Sequence, residues 1–174
     1  MNKINATDKK FLDEAIDIAK KTYDQGNYPV GAVLAIDGKL ADSAGNEINK
    51  KKSYVNHAEN TLIIRNGQKL YDAFQAGKEI VLYSTLEPCI QCLGASVTNH
   101  VSRVVYIQKD PNGGACNLRH DNIGDWYRNT WPEIQYMPIS KKPRNMMISF
   151  FKQEISKGNT NKWPQKMLRF LKVA

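Results

Sequence analysis

The chain has 174 residues, which is enough for one domain with a buried core and too few for two, so we expect a single functional site. Its 41% hydrophobic and 24% charged residues are typical of a soluble globular protein, and no run approaches the roughly 20 apolar residues of a membrane span. The N-terminal segment has no apolar stretch of the kind found in secretory signals, so we predict a cytoplasmic protein without membrane contact.

The formal net charge of +8 is concentrated at the C-terminal end of the chain. Residues 1–140 contain 16 basic and 16 acidic residues, whereas residues 141–174 contain nine basic residues and one acidic residue, Glu154. A positive segment beside a neutral domain is typical of a protein with an anionic partner, and RNA is the candidate. The alternative is a solvated basic helix, because most of these cations are Lys, which lacks the bidentate fork of Arg.

The N-terminal part of the chain predicts a helix followed by a β-hairpin. Apolar residues from Phe11 to Tyr23 recur at helical spacing, and Thr7 is positioned to cap this helix. The segment VGAVLAI is followed by Asp37-Gly38 and KLADSA, which is the pattern of two strands joined by a tight turn. The first strand is apolar throughout, so we expect it at the centre of the sheet.

Helices and strands alternate in the middle of the chain. Asn56 is positioned to cap a helix over residues 57–66, which Gly67 would end. EIVLYST predicts a buried strand, Pro88 suits the first turn of a helix that runs through Val97, and RVVYI predicts a fourth strand. This order predicts an α/β sandwich in which helices cover both faces of one mixed sheet.

The pattern is weaker after the loop KDPNGGACN. DNIGDWYRNTW is compatible with a helix, EIQYMPI with an edge strand interrupted by Pro138, and RNMMISFFKQEISK with an amphipathic helix. The final 17 residues begin with a linker-like stretch and end in a short basic, apolar segment that could dock on the domain, on a partner subunit or on nucleic acid. We therefore predict a domain over residues 1–157 and a basic C-terminal tail over residues 158–174.

Two short motifs concentrate the chemistry, HAE at residues 57–59 and PCIQC at residues 88–92. By itself, the Cys-x-x-Cys pair fits a metal site, a redox pair or buried core thiols. HAE favours a metal, because both motifs fall at helix starts, where the ligand crevice of an open α/β sheet lies and where thiolates are favoured. His57, Cys89 and Cys92 would supply three positions of a zinc tetrahedron and leave the fourth for water.

Glu59 turns this predicted metal site into a catalytic one. Zinc lowers the pKa of bound water from 15.7 to about 7, and a nearby carboxylate that is not a ligand can move the proton to the substrate and to the leaving amine. His-x-Glu combined with a distant Pro-Cys-x-x-Cys is the signature of zinc deaminases that act on cytosine or adenine. We predict Zn²⁺ as the cofactor and Glu59 as the catalytic acid and base.

The two motifs resemble those of the cytidine and deoxycytidylate deaminase superfamily. Residues 8–110 are most similar to its bacterial tRNA adenosine deaminase and guanine deaminase branch. The resemblance implies a three-layer αβα sandwich with a five-stranded mixed sheet, and a homodimer. It also implies zinc on His57, Cys89 and Cys92, with Glu59 as the proton shuttle.

Three further residues are candidates for substrate contact. The resemblance implies that Asn46, in SAGNE, contacts the base or sugar and that the backbone of Ala58 lines the pocket. Asp110 begins the loop after the fourth strand, where it is either a loop former or a pocket residue. Since three ligands leave only a water position on the metal, we expect Cys116, His100 and His120 to be structural or exposed.

The chain departs from this branch around its motifs. Relatives carry Asp-Pro-Thr-Ala before HAE where this chain has SYVN, and Asn60 and Leu62 replace an apolar residue and a small alanine. The loop after the fourth strand lacks the His-rich stretch of the tRNA enzymes. We therefore predict a zinc-dependent hydrolytic deaminase that releases ammonia from a nucleobase presented as a base, nucleoside or nucleotide. The alternatives are a tRNA-specific adenosine deaminase, a non-enzymatic zinc-containing RNA-binding module and a redox Cys-x-x-Cys.

Overall fold

The computed structural model describes residues 5–158 and 162–173 of the chain. Within that part, five strands form one sheet: β1 (Gly31–Ile36), β2 (Lys39–Gly45), β3 (Ile80–Leu86), β4 (Arg103–Gln108) and β5 (Glu133–Tyr136). The strand order is β2-β1-β3-β4-β5. β1 pairs antiparallel with β2 and β3, whereas β3, β4 and β5 run parallel. The predicted five-stranded mixed sheet is confirmed.

Helices cover both faces of this sheet. They are α1 (Ala6–Asp24), α2 (Ile48–Lys51), α3 (Ala58–Arg65), α4 (Gly67–Gln75), α5 (Ile90–Thr98), α6 (Asp125–Asn129), α7 (Lys142–Ser156) and α8 (Trp163–Val173). Because successive strand residues point to opposite faces, Val33 and Ala35 of β1 pack in the cluster with α1, whereas Ala32 and Leu34 join the cluster with α3 and α4. β1 is therefore buried on both faces at the interior of the sheet, as its apolar sequence predicted.

The start of α1 differs from the sequence prediction. The helix begins at Ala6 and its N-cap is Asn5, whose side chain accepts a hydrogen bond of 2.7 Å from the backbone N–H of Asp8. Thr7 lies inside the first turn, so its predicted role as the cap was wrong. Asn is at least as good a cap as Thr, and it stands where the chain enters the helix from an extended conformation.

The predicted caps of the middle helices were also wrong. The N-cap of α3 is His57 rather than Asn56, and the N-cap of α5 is Cys89, so that Pro88 precedes the helix instead of lying in its first turn. Neither cap makes a side-chain hydrogen bond to its helix. Gly67 begins α4, a helix that was not predicted because glycine was interpreted as a stop.

The C-terminal part of the chain packs on the sheet. α7 starts two residues before the predicted segment because Pro143 is tolerated in a first helical turn. Met167 and Leu171 of α8 are 6% and 2% exposed within the main core cluster, and Arg144 Nε donates to the carbonyl of Leu171 at 2.8 Å. The division of the chain at residue 158 stays a prediction. No helix in the described ranges is long and apolar enough to cross a membrane.

Candidate functional site

The two motifs meet at the starts of α3 and α5. His57 and Cys89 both have extended backbone conformations at the N-cap positions, and Cys92 follows in the first turn of α5. Cys89 lies three residues after the end of β3 and forms an isolated antiparallel bridge with Gly114. The side chains of His57 and Cys89 make no capping hydrogen bond to their own helices and instead approach each other. The prediction that both motifs lie at helix starts is confirmed.

His57, Cys89 and Cys92, here called the metal group, have ligand atoms that all lie within 4.8 Å of one another. The Nδ1 atom of His57 is 3.5 Å from Cys89 Sγ and 3.4 Å from Cys92 Sγ, and the two sulfurs are 3.7 Å apart. A tetrahedron with Zn–S bonds of about 2.3 Å and Zn–N bonds of about 2.0 Å has edges of about 3.8 Å between sulfurs and about 3.5 Å between sulfur and nitrogen. The metal group fits a zinc ion in both donor chemistry and spacing.

Glu59 lies beside the metal group, in the first turn of α3. Its side chain is buried, with the residue only 3% exposed. The hydroxyl of Ser84, at the end of β3, donates to Glu59 Oε1 at 2.7 Å, and Cys92 Sγ is 3.5 Å from Oε2. One carboxylate oxygen is thus held by the sheet, while the other faces the metal group.

The electrostatics of this cluster follow from burial and shared protons. Burial raises the pKa of Glu59, and the hydrogen bond from Ser84 opposes this effect without cancelling it. The S–H of Cys92 and the ring of His57 lower the pKa of Cys89 to about 3, and the contact with Cys89 together with burial raises the pKa of Cys92. The hydrogen bond between His57 and Cys89 also raises the pKa of His57. Sharing the Cys92 proton therefore favours the thiolate at Cys89, and a metal that binds both sulfurs would displace this proton.

Asn46 and Asp110 both line a cavity that opens beside the metal group. Asn46 is 5% exposed, and its Oδ1 accepts a hydrogen bond of 3.0 Å from the backbone N–H of Ile48, which leaves its amide donors for other partners. Asp110 Oδ1 accepts from the backbone N–H groups of Asn112 and Gly113 at 2.9 and 3.1 Å. Asp110 therefore shapes its own loop as well as the cavity.

The other candidates lie away from the open cavity. Ala58 is fully buried at the first position of α3 and is not among the described residues that line the cavity, so the role of its backbone stays a prediction. His100 stacks on Phe74 with ring centroids 3.6 Å apart, and His120 stacks on Trp131 at 4.5 Å. Within the described ranges, no second group of three ligand side chains comes close enough to hold a metal.

The cavity beside the metal group has a volume of about 230 Å³. His57, Glu59 and Cys89 form its polar side. A larger open cleft of about 750 Å³ lies near β2 and α4, but none of the predicted site residues lines it, so chemistry rather than size locates the site. The smaller cavity is also lined by apolar side chains that the sequence analysis did not single out, here called the apolar wall: Tyr28, Met147, Phe151, Trp163 and Met167.

Glu87 and Ser84 were also missed, although they lie only two and five residues before Cys89 in the sequence. Glu87 is 6% exposed and accepts hydrogen bonds at 3.1 Å from the backbone N–H groups of both Asp110 and Cys116. A Cβ at Gly114 would lie 2.4 Å from the Glu87 carboxyl carbon, so this glycine lets the loop approach closely. A buried carboxylate next to a loop of small residues was the available signal.

Comparison with known proteins agrees with this geometry. Residues 5–108 match the family profile described as the cytidine and deoxycytidylate deaminase zinc-binding region. The chain belongs to this deaminase family. It is 32% identical over 146 residues to a tRNA-specific adenosine deaminase of Bacillus subtilis (strain 168), a match that covers 84% of this chain and 89% of the relative. A tRNA-specific adenosine deaminase 2 of Xenopus tropicalis is 31% identical over 159 residues, with the same coverage.

Two solved structures extend the likeness of this deaminase to the fold. A structure from a study of A-to-I editing by tRNA:A34 deaminases at the wobble position is 26% identical, covers 76% of this chain and 100% of its own, and has a TM-score of 0.62. A guanine deaminase of Bacillus subtilis is 29% identical, covers 61% of this chain and 66% of its own, and has a TM-score of 0.51. The predicted family, its branch and the zinc-dependent hydrolytic deaminase activity are confirmed.

Proposed function

We propose that His57, Cys89 and Cys92 hold the zinc ion of this deaminase. The support is the match between their three separations and the edges of a zinc tetrahedron. The bound ion would supply a water molecule with a pKa near 7 as the nucleophile. Three protein ligands would leave one position of a zinc tetrahedron for water, and the cavity adjoins these residues.

Glu59 is the proton carrier in this proposal. Ser84 holds one carboxylate oxygen, so the other oxygen can accept a first proton from the nucleophilic water and pass it to a ring nitrogen of the base. It can then take a second proton from the hydroxyl that this addition forms and pass it to the departing amine. Burial raises the pKa of the carboxyl group, which brings it closer to the neutral range in which one group can both take and give a proton. The products are the keto form of the base and ammonia.

The substrate is a nucleobase presented as a base, nucleoside or nucleotide. A volume of about 230 Å³ is below the roughly 300–1,000 Å³ of pockets that enclose drug-sized ligands, so it suits one base and little more. Asn46 and Asp110 stand at the cavity as polar groups that can orient the base. The observation that carries the proposal is the placement of Glu59 and the metal group at one end of this small cavity.

Ammonia release across a substrate panel tests this function. The panel contains cytosine, adenine and guanine, their nucleosides and nucleotides, and tRNA, each incubated with zinc-loaded protein. We expect turnover of at least one member at neutral pH. If zinc-containing protein releases no ammonia from any member of the panel, the proposal is overturned and a non-enzymatic zinc module is favoured.

A tRNA-specific adenosine deaminase is the second candidate, favoured by the identity of 32% to a relative with that name. The exposed cations Lys166 and Arg169 on α8 offer a surface for RNA. Filter binding of tRNA at two salt concentrations decides between the candidates, because phosphate contacts impose a steep salt dependence. Tight binding that salt weakens and that Lys166→Ala and Arg169→Ala reduce would favour the RNA substrate.

We also propose that the deaminase is a cytoplasmic homodimer. Large apolar side chains remain exposed on neighbouring helices, among them Ile64 (75%), Tyr71 (62%) and Ile90 (65%). Exposed apolar surface of this kind marks interfaces. A reducing compartment suits the free thiols of the metal group. Sedimentation at micromolar concentration should give the dimer mass, and Ile64→Glu should shift it to the monomer, whereas a wild-type monomer would rule the dimer out.

A further inference from the structure

The apolar wall is completed by the last described helix of the chain. Met147 and Phe151 come from α7, and Trp163 and Met167 come from α8. Trp163 meets the ring of Phe151 edge to face at 4.9 Å and 81°, and that of Tyr28 at 5.7 Å and 74°. Edge-to-face contacts of this kind fix ring orientations, so the wall is a preformed surface.

The wall lines the same cavity as the groups that carry the chemistry. That cavity is lined by His57, Glu59 and Cys89 and also by aromatic and thioether side chains. A nucleobase has two flat apolar faces and a polar edge, so its face can pack on the wall while its amine is directed at the metal group. The wall therefore provides binding surface, and the metal group provides reactivity.

The charges around the cavity disfavour a phosphate-bearing substrate. Among the described residues that line it there is no Lys or Arg, whereas Glu59, Glu87 and Asp110 are acidic. Proteins that bind single-stranded nucleic acid combine stacking side chains with cations that follow the backbone. On α8 the cations Lys166 and Arg169 are exposed, while Met167 of the same helix is buried in the wall.

We propose that α8 is a specificity element of the deaminase, in which Trp163 and Met167 complete a wall that admits a small uncharged base or nucleoside and disfavours nucleotides and RNA. This inference rests on the proposed function of the same site. It gives the C-terminal segment a role inside the cavity, in place of the RNA contact that its charge alone predicted.

Binding measurements separate this role from turnover. Zinc-loaded Glu59→Ala protein is titrated calorimetrically with adenine, cytosine and guanine, their nucleosides, their monophosphates and an RNA hairpin. Trp163→Ala or Met167→Ala is then introduced into this Glu59→Ala protein, with Gln165→Ala on the exposed side of the same helix as the matched control. We expect Trp163→Ala to weaken base or nucleoside binding by about tenfold, as loss of a base–aromatic contact does, and Gln165→Ala to leave it unchanged.

Folding and zinc content are monitored in every variant by thermal unfolding and metal analysis. Trp163→Phe keeps an aromatic wall and should retain most of the affinity. If Trp163→Ala does not fold, Met167→Ala and Trp163→Phe decide: a severalfold loss in the first with little loss in the second supports the wall. Affinity that no wall variant changes would overturn the inference, as would binding of a monophosphate or the hairpin more tightly than the nucleoside.

The two proposals fail in different ways. Wild-type protein that binds a base through Trp163 but releases no ammonia from any panel member contradicts the proposed function and leaves the wall intact. Wild-type protein that turns over a substrate whose affinity is insensitive to Trp163 and Met167 contradicts the wall and leaves the deaminase intact.

Discussion

The metal group adjoins the cavity that the apolar wall lines, and the two are built differently. The metal group comes from two motifs at two helix starts, and each of its members must carry one particular functional group. The wall comes from a loop and two C-terminal helices, and its members need only present apolar surface. We therefore expect substitutions in the metal group to remove chemistry at little cost in stability, and those in the wall to weaken substrate binding or folding.

Cys92→Ala should have the largest effect on activity. It removes one of the three proposed ligands, so zinc content should fall from about one per chain to near zero and turnover below detection. Metal analysis of protein purified without chelator and the ammonia assay measure both. Cys116→Ala is the matched control, because this buried cysteine lies outside the metal group. Retention of zinc and activity in Cys92→Ala would remove Cys92 from the ligand set.

Glu59→Ala should keep the metal and lose the reaction. Loss of a general acid and base lowers turnover by about 10²- to 10⁴-fold, while the three ligands remain in place. Zinc content and kcat are measured on the same preparation. Asp17→Ala, on the exposed side of α1, is the control. Turnover that survives in Glu59→Ala would refute its role as the proton carrier.

Phe151→Ala tests whether the apolar wall also contributes to the hydrophobic core. Phe151 is 1% exposed, and truncation of a buried Phe costs about 3–5 kcal/mol of unfolding free energy. Denaturant unfolding monitored by circular dichroism measures the loss. Leu40→Ala, at a residue that is 51% exposed, should change stability by less than about 0.5 kcal/mol. Equal effects at the two positions would show that the wall contributes nothing to the core.

Asp8 does not line the cavity, so Asp8→Asn should reduce the free energy of unfolding without changing activity. Asp8 accepts hydrogen bonds of 2.7 Å from both Arg103 and Tyr83, and removing one partner of a buried ion pair costs about 3 kcal/mol. kcat should remain unchanged. Asp24→Asn, which breaks only an exposed pair with Lys20, is the control. Wild-type stability in Asp8→Asn would show that this pair contributes nothing net.

The same ion pair gives wild-type stability a defined pH dependence. Burial alone raises the pKa of Asp8, but the hydrogen bonds and charge from Arg103 and Tyr83 bring it below the ordinary value of 3.8. The unfolded chain therefore binds this proton more readily. The contribution of the pair is complete above the unfolded pKa and is lost as pH falls through the lower folded value. In Asp8→Asn protein, the free energy of unfolding should therefore decrease less steeply as the pH falls through this range.

Ser84→Ala should have the smallest effect, about a tenfold lower kcat with unchanged KM. The mutation removes the hydrogen bond that holds one oxygen of Glu59, and about 1.4 kcal/mol corresponds to tenfold. Ser84→Thr, which restores a hydroxyl, should recover most of the loss, whereas Thr98→Ala on the exposed end of α5 should change nothing. Unchanged kcat in Ser84→Ala would show that Glu59 is positioned by its burial alone.

The sequence predicted most of the fold because apolar periodicity is local. The hairpin through Asp37 and the burial of β1 followed from patterns only a few residues long. The helix starts were less predictable, because capping depends on where the chain turns: Asn5 rather than Thr7 caps α1, and His57 and Cys89 occupy cap positions without bonding to their helices.

By itself, the sequence determined the family, the metal and the candidate proton carrier, because imidazole, thiolate and carboxylate groups at fixed spacing perform a chemistry that few other residues can. Only the tertiary structure decided which other residues line the cavity beside these groups. Apolar side chains such as Phe151 and Trp163 are interchangeable in a sequence pattern, and their role follows from packing between elements far apart along the chain. α8 shows the difference: its charge predicts an RNA contact, which stays a prediction, whereas only the packing shows that Trp163 and Met167 line the cavity.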